Sequence, residues 1–133
     1  MASTNFQKNF IQDYNFGGVS YTPPANYYLG MSSTSISVNG SNVTEPTSGS
    51  YARVLIPNTK GYWTYSSSGC VVNSGPVTFV QSSGSWATMV DIALFDSLTS
   101  GSVRYYTTLP SPITVAVNTT VSFSASSINI SQT

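Results

Sequence analysis

The chain has 133 residues with four Lys and Arg, four Asp and Glu, no His and one Cys, so its formal charge is zero. Such a chain lacks the basic surface that nucleic-acid binding requires. Without His and with a single Cys, it forms no His-based triad, Cys and His dyad or zinc site of its own. A hydrophobic fraction of 40% still supports a core, and the length predicts a single domain over residues 1–133.

The first predicted element is a short amphipathic helix over about residues 4–16. Its apolar side chains recur at the spacing of one helix face: Phe6, Phe10, Ile11 and Tyr14. Thr4 or Ser3 is a suitable N-cap, and Gly17 begins a Gly-Gly stop. Because three turns of helix are unstable alone, we expect this face to dock on the sheet or on a neighbouring subunit.

Short segments rich in β-branched and aromatic residues follow the helix. They predict strands over residues 27–32, 51–56, 76–80, 88–95, 103–108, 113–117, 121–125 and 127–130. The nearly continuous apolar run within 88–95 predicts a central strand. The fold class is therefore mainly β, a small antiparallel β-sandwich or jelly-roll-like barrel with a short N-terminal helix and a β core over about 27–130. We expect the core to be anchored by Phe79, Trp86, Ile92, Leu94, Val121 and Phe123.

The polar stretch 33–50 predicts either an excursion from the sheet or a hairpin with a weak register, and the stretch 62–69 predicts a second irregular segment. The aromatic residues of the second segment, Tyr62, Trp63 and Tyr65, are candidate surface contacts for a sugar or a partner subunit. Use of these rings in the core or in an interface is the favoured alternative. Arg53 and Arg104 each follow a strand pattern and are candidates for guarding sheet edges or for contacting another subunit.

The acidic residues predict no catalytic site. Asp91 and Asp96 are five residues apart on one predicted strand, so their side chains point to opposite faces and form no carboxylate pair. Calcium ligation by Asp96 with loop carbonyls stays open, although no calcium-loop signature surrounds it. We therefore predict no enzyme, no catalytic residue, no metal site and no cofactor.

The sequence also bears on the setting in which the protein works. No apolar run is long enough for a membrane helix, and the first residues lack a secretory signal pattern, so we expect neither membrane association nor secretion. The single Cys70 suits assembly in a reducing host cytoplasm. A neutral, hydroxyl-rich surface suits packing in many copies, which predicts a homo-oligomer. We expect a trimer or another small symmetric oligomer, although no sequence feature fixes the number of subunits.

The order of several motifs resembles a group of small tailed-bacteriophage virion structural proteins. These motifs are YTPPANYYLGMS at 21–32, VTEP at 43–46, GSYARV at 49–54, PVTF at 76–79, GSWAT at 84–88 and IALFD at 92–96. Members of that group are described as head decoration, minor structural or tail-fibre proteins. The resemblance implies a virion location and transfers no catalytic residue.

Two functions follow from the resemblance. The first is a capsid decoration or cement protein that binds the major capsid protein on the outer head surface and stabilises the shell. The alternative is a tail, neck or fibre-associated adaptor or receptor-binding module, which the surface aromatic residues and the polar excursion favour. A small hydrolase is disfavoured, because neither an acid pair nor a His is present.

Overall fold

The computed structural model describes residues 1–66 and 69–131. The described chain forms one helix and ten mostly short strands, separated by turns rich in Gly, Asn, Ser and Pro. In chain order the elements are β1 (Ala2–Ser3), α1 (Asn5–Phe16), β2 (Asn26–Ser32), β3 (Val54–Pro57), β4 (Trp63–Tyr65), β5 (Val71–Asn73), β6 (Val77–Thr78), β7 (Ala87–Phe95), β8 (Val103–Val115), β9 (Ser122–Phe123) and β10 (Asn129–Ile130).

Local capping chemistry sets both ends of α1. The hydroxyl of Thr4, the N-cap, accepts a hydrogen bond from the amide of Gln7. At the other end, Gly17 donates its amide to the carbonyl of Asp13. The predicted cap and the predicted glycine stop are confirmed, because both depend on residues within one turn of the helix end.

The largest sheet has five antiparallel strands in the order β1-β8-β7-β2-β3. Strand β7 lies between β8 and β2, and its residues 91–95 are all buried, as its apolar run predicts. A three-stranded sheet, β10-β5-β4, and a two-stranded sheet, β6-β9, complete the described strands. The edges of the large sheet, β1 and β3, stay apart, so within residues 1–66 and 69–131 the strands close no barrel.

One face of the large sheet forms the main core with the two small sheets. Alternation along β2 sends Tyr27, Leu29 and Met31 to this face. The other buried residues of the cluster come from every sheet: Ile56, Trp63, Val77, Phe79, Trp86, Met89, Ile92, Leu94, Tyr105, Leu109, Val115, Val121 and Ile128. Five of the six predicted core anchors are buried here, and Phe123 packs against them half-buried. The predicted β-sandwich is confirmed.

The opposite face of the large sheet is covered by the excursion at 33–50 and by α1. Ile36 packs there with Ala93, Phe95 and Val103 in a second apolar cluster. The carboxylate of Asp91 accepts a hydrogen bond of 2.8 Å from the Ile36 amide and so holds the excursion against the sheet. The excursion is predicted correctly as a segment outside the sheet.

Two features of the sheets differ from the sequence prediction. The segments predicted as two strands, 103–108 and 113–117, belong to one bent strand, β8, in which residues 109–112 face the single residue Val90 of β7. Pro110 and Pro112 lie in this bend, because proline donates no ladder hydrogen bond. Strands β1, β4 and β5 were not predicted, since two or three residues are too few to show an alternating pattern.

Candidate binding surfaces

A β-bulge turns Arg104 toward the helix. Leu94 faces Tyr105 and Phe95 faces Val103 across β7 and β8, so Arg104 has no partner opposite it. Its guanidinium donates 2.9 Å hydrogen bonds to the carboxylate of Asp96 and a 3.0 Å hydrogen bond to the side-chain oxygen of Gln7. A cation therefore lies beneath the helix and determines which helix residue is buried.

The predicted apolar stripe of α1 is only partly in contact with the sheet. Gln7 is the buried residue of the helix. The rings of Phe6 and Phe10 lie 4.8 and 5.0 Å from the Arg104 guanidinium, and Phe10 also stacks on Tyr21. Phe6 and Tyr14 are nevertheless exposed, and Phe10 and Ile11 are half-buried. Docking of this stripe on the sheet is therefore partial, because the buried guanidinium takes a polar partner, Gln7. Docking of the exposed rings on a neighbouring subunit stays a prediction.

The C-terminal end of the helix and the residues after it carry large apolar side chains into solvent. Residues 12–20 are all exposed. Phe16 is 90% exposed, Tyr14 61% and Val19 54%, and these three residues are called the helix tip below. Phe16 and Val19, on either side of the Gly17 and Gly18 stop, were not among the predicted contact residues.

Both arginine candidates form ion pairs inside the chain. The Arg53 guanidinium pairs with both carboxylate oxygens of Glu45, at 3.0 and 2.7 Å, and lies 3.5 Å from the centre of the Phe95 ring. The side chains of Arg53 and Arg104 are 7% and 10% exposed. The interpretation as guards of an exposed edge is therefore wrong. Contact between these arginines and another subunit stays a prediction.

Trp63 is buried, which corrects its prediction as a surface aromatic residue. Strand β4 pairs with β5, and Trp63 packs edge-on against the Tyr27 ring at 6.3 Å, leaving 6% of the residue exposed. Its neighbours Tyr62 and Tyr65 are exposed, as predicted. The alternative prediction, in which these rings pack in the core, therefore holds for Trp63, because strand β4 turns its side chain toward the core.

Trp63 lines a hollow of about 280 Å³, called the aromatic hollow below. Two further aromatic side chains line it, Tyr27 and Tyr105, which pack edge to face at 6.1 Å. Its polar lining includes Asn58, Thr59 and Lys60. In the sequence, Tyr27 and Tyr105 are seen only as members of two adjacent tyrosine pairs. Their closeness to Trp63 could not be predicted, because only the fold brings β2, β4 and β8 to one place.

Among the described residues, the titratable groups that line the hollow are two tyrosines and one lysine. Burial raises the pKa of Tyr27 and of Tyr105 above the ordinary tyrosine value, so both hydroxyls keep their protons at neutral pH. The ammonium of Lys60 lies 3.7 Å from the centre of the Tyr65 ring. In the part of the chain that the structure describes, no carboxylate is within ion-pair distance of Lys60. The indole nitrogen of Trp63 is buried without a hydrogen-bond partner.

Asp91 and Asp96, the two acids that the sequence places near each other, lie in different hydrogen-bond networks. Asp91 and Asp96 bond to different partners, Ile36 and Arg104, and form no carboxylate pair. Within residues 1–66 and 69–131, no three His, Cys, Asp or Glu side chains form a group that could hold a metal ion. The one described helix, α1, has 12 residues, too few to cross a membrane.

The described residues form a small β-sandwich with an exposed apolar helix tip and an aromatic hollow. The family model described as Podophage GP4 fiber I protein gp80 matches residues 2–131. The chain therefore belongs to this family and is a phage fibre-related structural protein of the virion. The predicted resemblance to tailed-phage virion structural proteins is confirmed. None of the curated proteins matches the chain.

Proposed function

We propose that the chain is a fibre-associated adaptor without catalytic activity, anchored on another virion protein through its helix tip. The observation that carries the proposal is the exposure of Tyr14, Phe16 and Val19 beside one another in the chain. Exposed large apolar side chains, aromatic ones above all, are enriched at protein interfaces, where a few of them contribute most of the binding energy. A tail or neck protein is the partner that fits this proposal.

The family supports the fibre-associated function over capsid decoration. Its description names a fibre protein. The apolar contact alone does not distinguish the two functions, because a cement protein bound to the major capsid protein would use the same kind of contact. The neutral surface supports assembly in several copies, and a homotrimer is the favoured oligomer. Assembly in the host cytoplasm belongs to the same proposal.

Localisation on the particle tests the fibre-associated function directly. Gold-labelled antibody or cryo-electron microscopy of purified virions should place the protein at the tail, neck or fibres. Label spread with icosahedral regularity over the head would overturn the fibre-associated function and favour a decoration protein.

A second experiment tests the helix tip. Phe16→Ser removes the most exposed aromatic side chain of the tip, and Leu98→Ser changes another exposed apolar side chain, on the bend that follows β7. Phage lacking the gene should incorporate the Leu98→Ser protein and lose most of the Phe16→Ser protein from purified particles. Equal incorporation of the two variants, with equal melting temperatures, would show that the tip is not the anchor.

A further inference from the structure

We infer that the aromatic hollow is a binding site for a saccharide that carries a carboxylate, such as a uronic acid unit. This inference goes beyond the proposed function and does not depend on which virion protein the helix tip contacts. Four observations carry it: the size of the hollow, its aromatic lining, its hydrogen-bond donors and the unpaired charge of Lys60.

The size and lining of the hollow suit a single sugar ring. Its volume of about 280 Å³ lies near the lower end of the range for small-molecule sites, about 300–1,000 Å³. Tyr27, Trp63 and Tyr105 supply aromatic surface against which the C–H groups of a sugar ring can pack. Their edge-to-face contacts, at 6.3 and 6.1 Å, hold the rings in place before a ligand arrives.

The polar groups of the hollow suit a ligand rich in hydroxyl oxygens. Asn58 donates its side-chain amide to the carbonyl of Pro24 at 2.9 Å, which fixes its orientation at the lining. The buried indole nitrogen of Trp63 lacks a partner, and a ligand oxygen that reached it would remove that unfavourable state.

Lys60 determines the charge of the ligand. Of the four Lys and Arg side chains, Arg53 and Arg104 are held in intrachain ion pairs, whereas the Lys60 ammonium has no carboxylate at ion-pair distance in the described chain. Lys60 lines the hollow, and its ammonium lies 3.7 Å from the centre of the exposed Tyr65 ring. Among residues 1–66 and 69–131, no acidic side chain lines the hollow, so a carboxylate placed there is attracted by Lys60 without repulsion from these residues.

The two tryptophans provide a reporter and an internal control. Trp63 lines the hollow, whereas the Trp86 indole donates to the carbonyl of Gly49 in the core, away from the hollow. Sodium D-glucuronate and D-glucose are titrated into the full chain while the two indole N–H resonances are followed by NMR. We expect glucuronate to shift the Trp63 resonance saturably, with a dissociation constant on the order of 1 mM. The Trp86 resonance should stay in place, and glucose should bind at least several-fold more weakly.

Charge variants separate binding in the hollow from a general salt effect. Lys60→Gln should reduce glucuronate affinity to that of glucose, and Lys8→Gln, which changes the lysine on the helix, should leave it unchanged. Absence of a saturable Trp63 shift, equal shifts of both indoles, or equal effects of the two variants would overturn the inference. A Trp63 shift that depends on protein concentration without sugar would show that a second copy fills the hollow, and would overturn it as well. None of these outcomes bears on the location of the protein on the virion.

Discussion

The guanidinium of Arg104 donates to the carboxylate of Asp96 at 2.9 Å, and both side chains are mostly buried between the sheet and the helix. Burying two charges costs desolvation energy, so this pair contributes less to stability than its short distance implies. Its main effect is on geometry, because the same guanidinium binds Gln7 of α1. The pair thus fixes the helix on the sheet while its tip stays exposed.

Breaking this ion pair should destabilise the chain. Asp96→Asn keeps the volume of the side chain but leaves the Arg104 guanidinium buried without its counter-charge. We expect the free energy of unfolding to fall by about 3 kcal/mol. Urea denaturation checks this, with Asp13→Asn, an exposed acid on the helix, as the control. Equal stability of the two variants would mean that solvent compensates the lost charge.

Gly30 is required by close contacts on its face of the sheet. A methyl group at Gly30 would lie 2.8 Å from both the Glu45 carboxylate and the Phe95 ring. Gly30→Ala should therefore cost about 1–3 kcal/mol by overpacking. At Gly75 a methyl group meets no atom within 4 Å, so Gly75→Ala is the matched control and should be nearly neutral in thermal unfolding. A Gly30→Ala protein as stable as this control contradicts the prediction.

Trp86 anchors the main core. It is buried, and its ring packs edge to face against Tyr51 at a centroid distance of 5.2 Å. Its indole N–H donates to the Gly49 carbonyl at 2.7 Å. Trp86→Ala should lower the free energy of unfolding by about 3–5 kcal/mol, through a cavity and an unpaired carbonyl. Tyr62→Ala removes an exposed ring and serves as the comparison. An unchanged melting temperature for Trp86→Ala would refute the core assignment.

Stability should fall at alkaline pH. Burial, and then the nearby Glu45 charge, raise the pKa of Tyr51 above the ordinary value of about 10. Above about pH 10, the unfolded chain releases tyrosine protons that the folded chain still retains. The free energy of unfolding therefore decreases as pH rises. The loss reaches at most about 1.4 kcal/mol per pH unit for each such tyrosine.

Variants of two tyrosines test this pH dependence. Tyr51→Phe removes the hydroxyl that donates to Glu45 at 2.7 Å and accepts from the Met31 amide at 2.9 Å. It should lower stability at neutral pH and make the alkaline decrease shallower. Tyr65→Phe, at an exposed ring, should leave the slope unchanged. Denaturation midpoints measured from pH 8 to about pH 11 give both slopes, and a Tyr51→Phe slope equal to that of the native chain would count against the assignment.

The candidate surfaces were only partly predictable. Phe6, Phe10, Ile11 and Tyr14 were found from their helical spacing, but spacing says nothing about a buried arginine on another strand. Arg104 enters the helix interface through a β-bulge, and a bulge leaves no clear mark in the alternation of a single strand. The burial of Trp63 likewise depends on β4, which is too short to show a pattern.

The sequence by itself determined the helix with its Thr4 cap and glycine stop, the central strand, the core anchors and the mainly β class. These depend on local capping and on hydrophobic periodicity, which act over a few neighbouring residues. The tertiary structure alone decided that Gln7 rather than Phe6 is buried, that both arginines bind acids of their own chain, and that Tyr27, Trp63 and Tyr105 share one hollow. The contacts of Gln7 with Arg104 and of Tyr27 with Trp63 and Tyr105 join residues distant in the chain, and the pairing register of the sheets sets them. Each ion pair spans eight residues, so the turn between its two partners decides it.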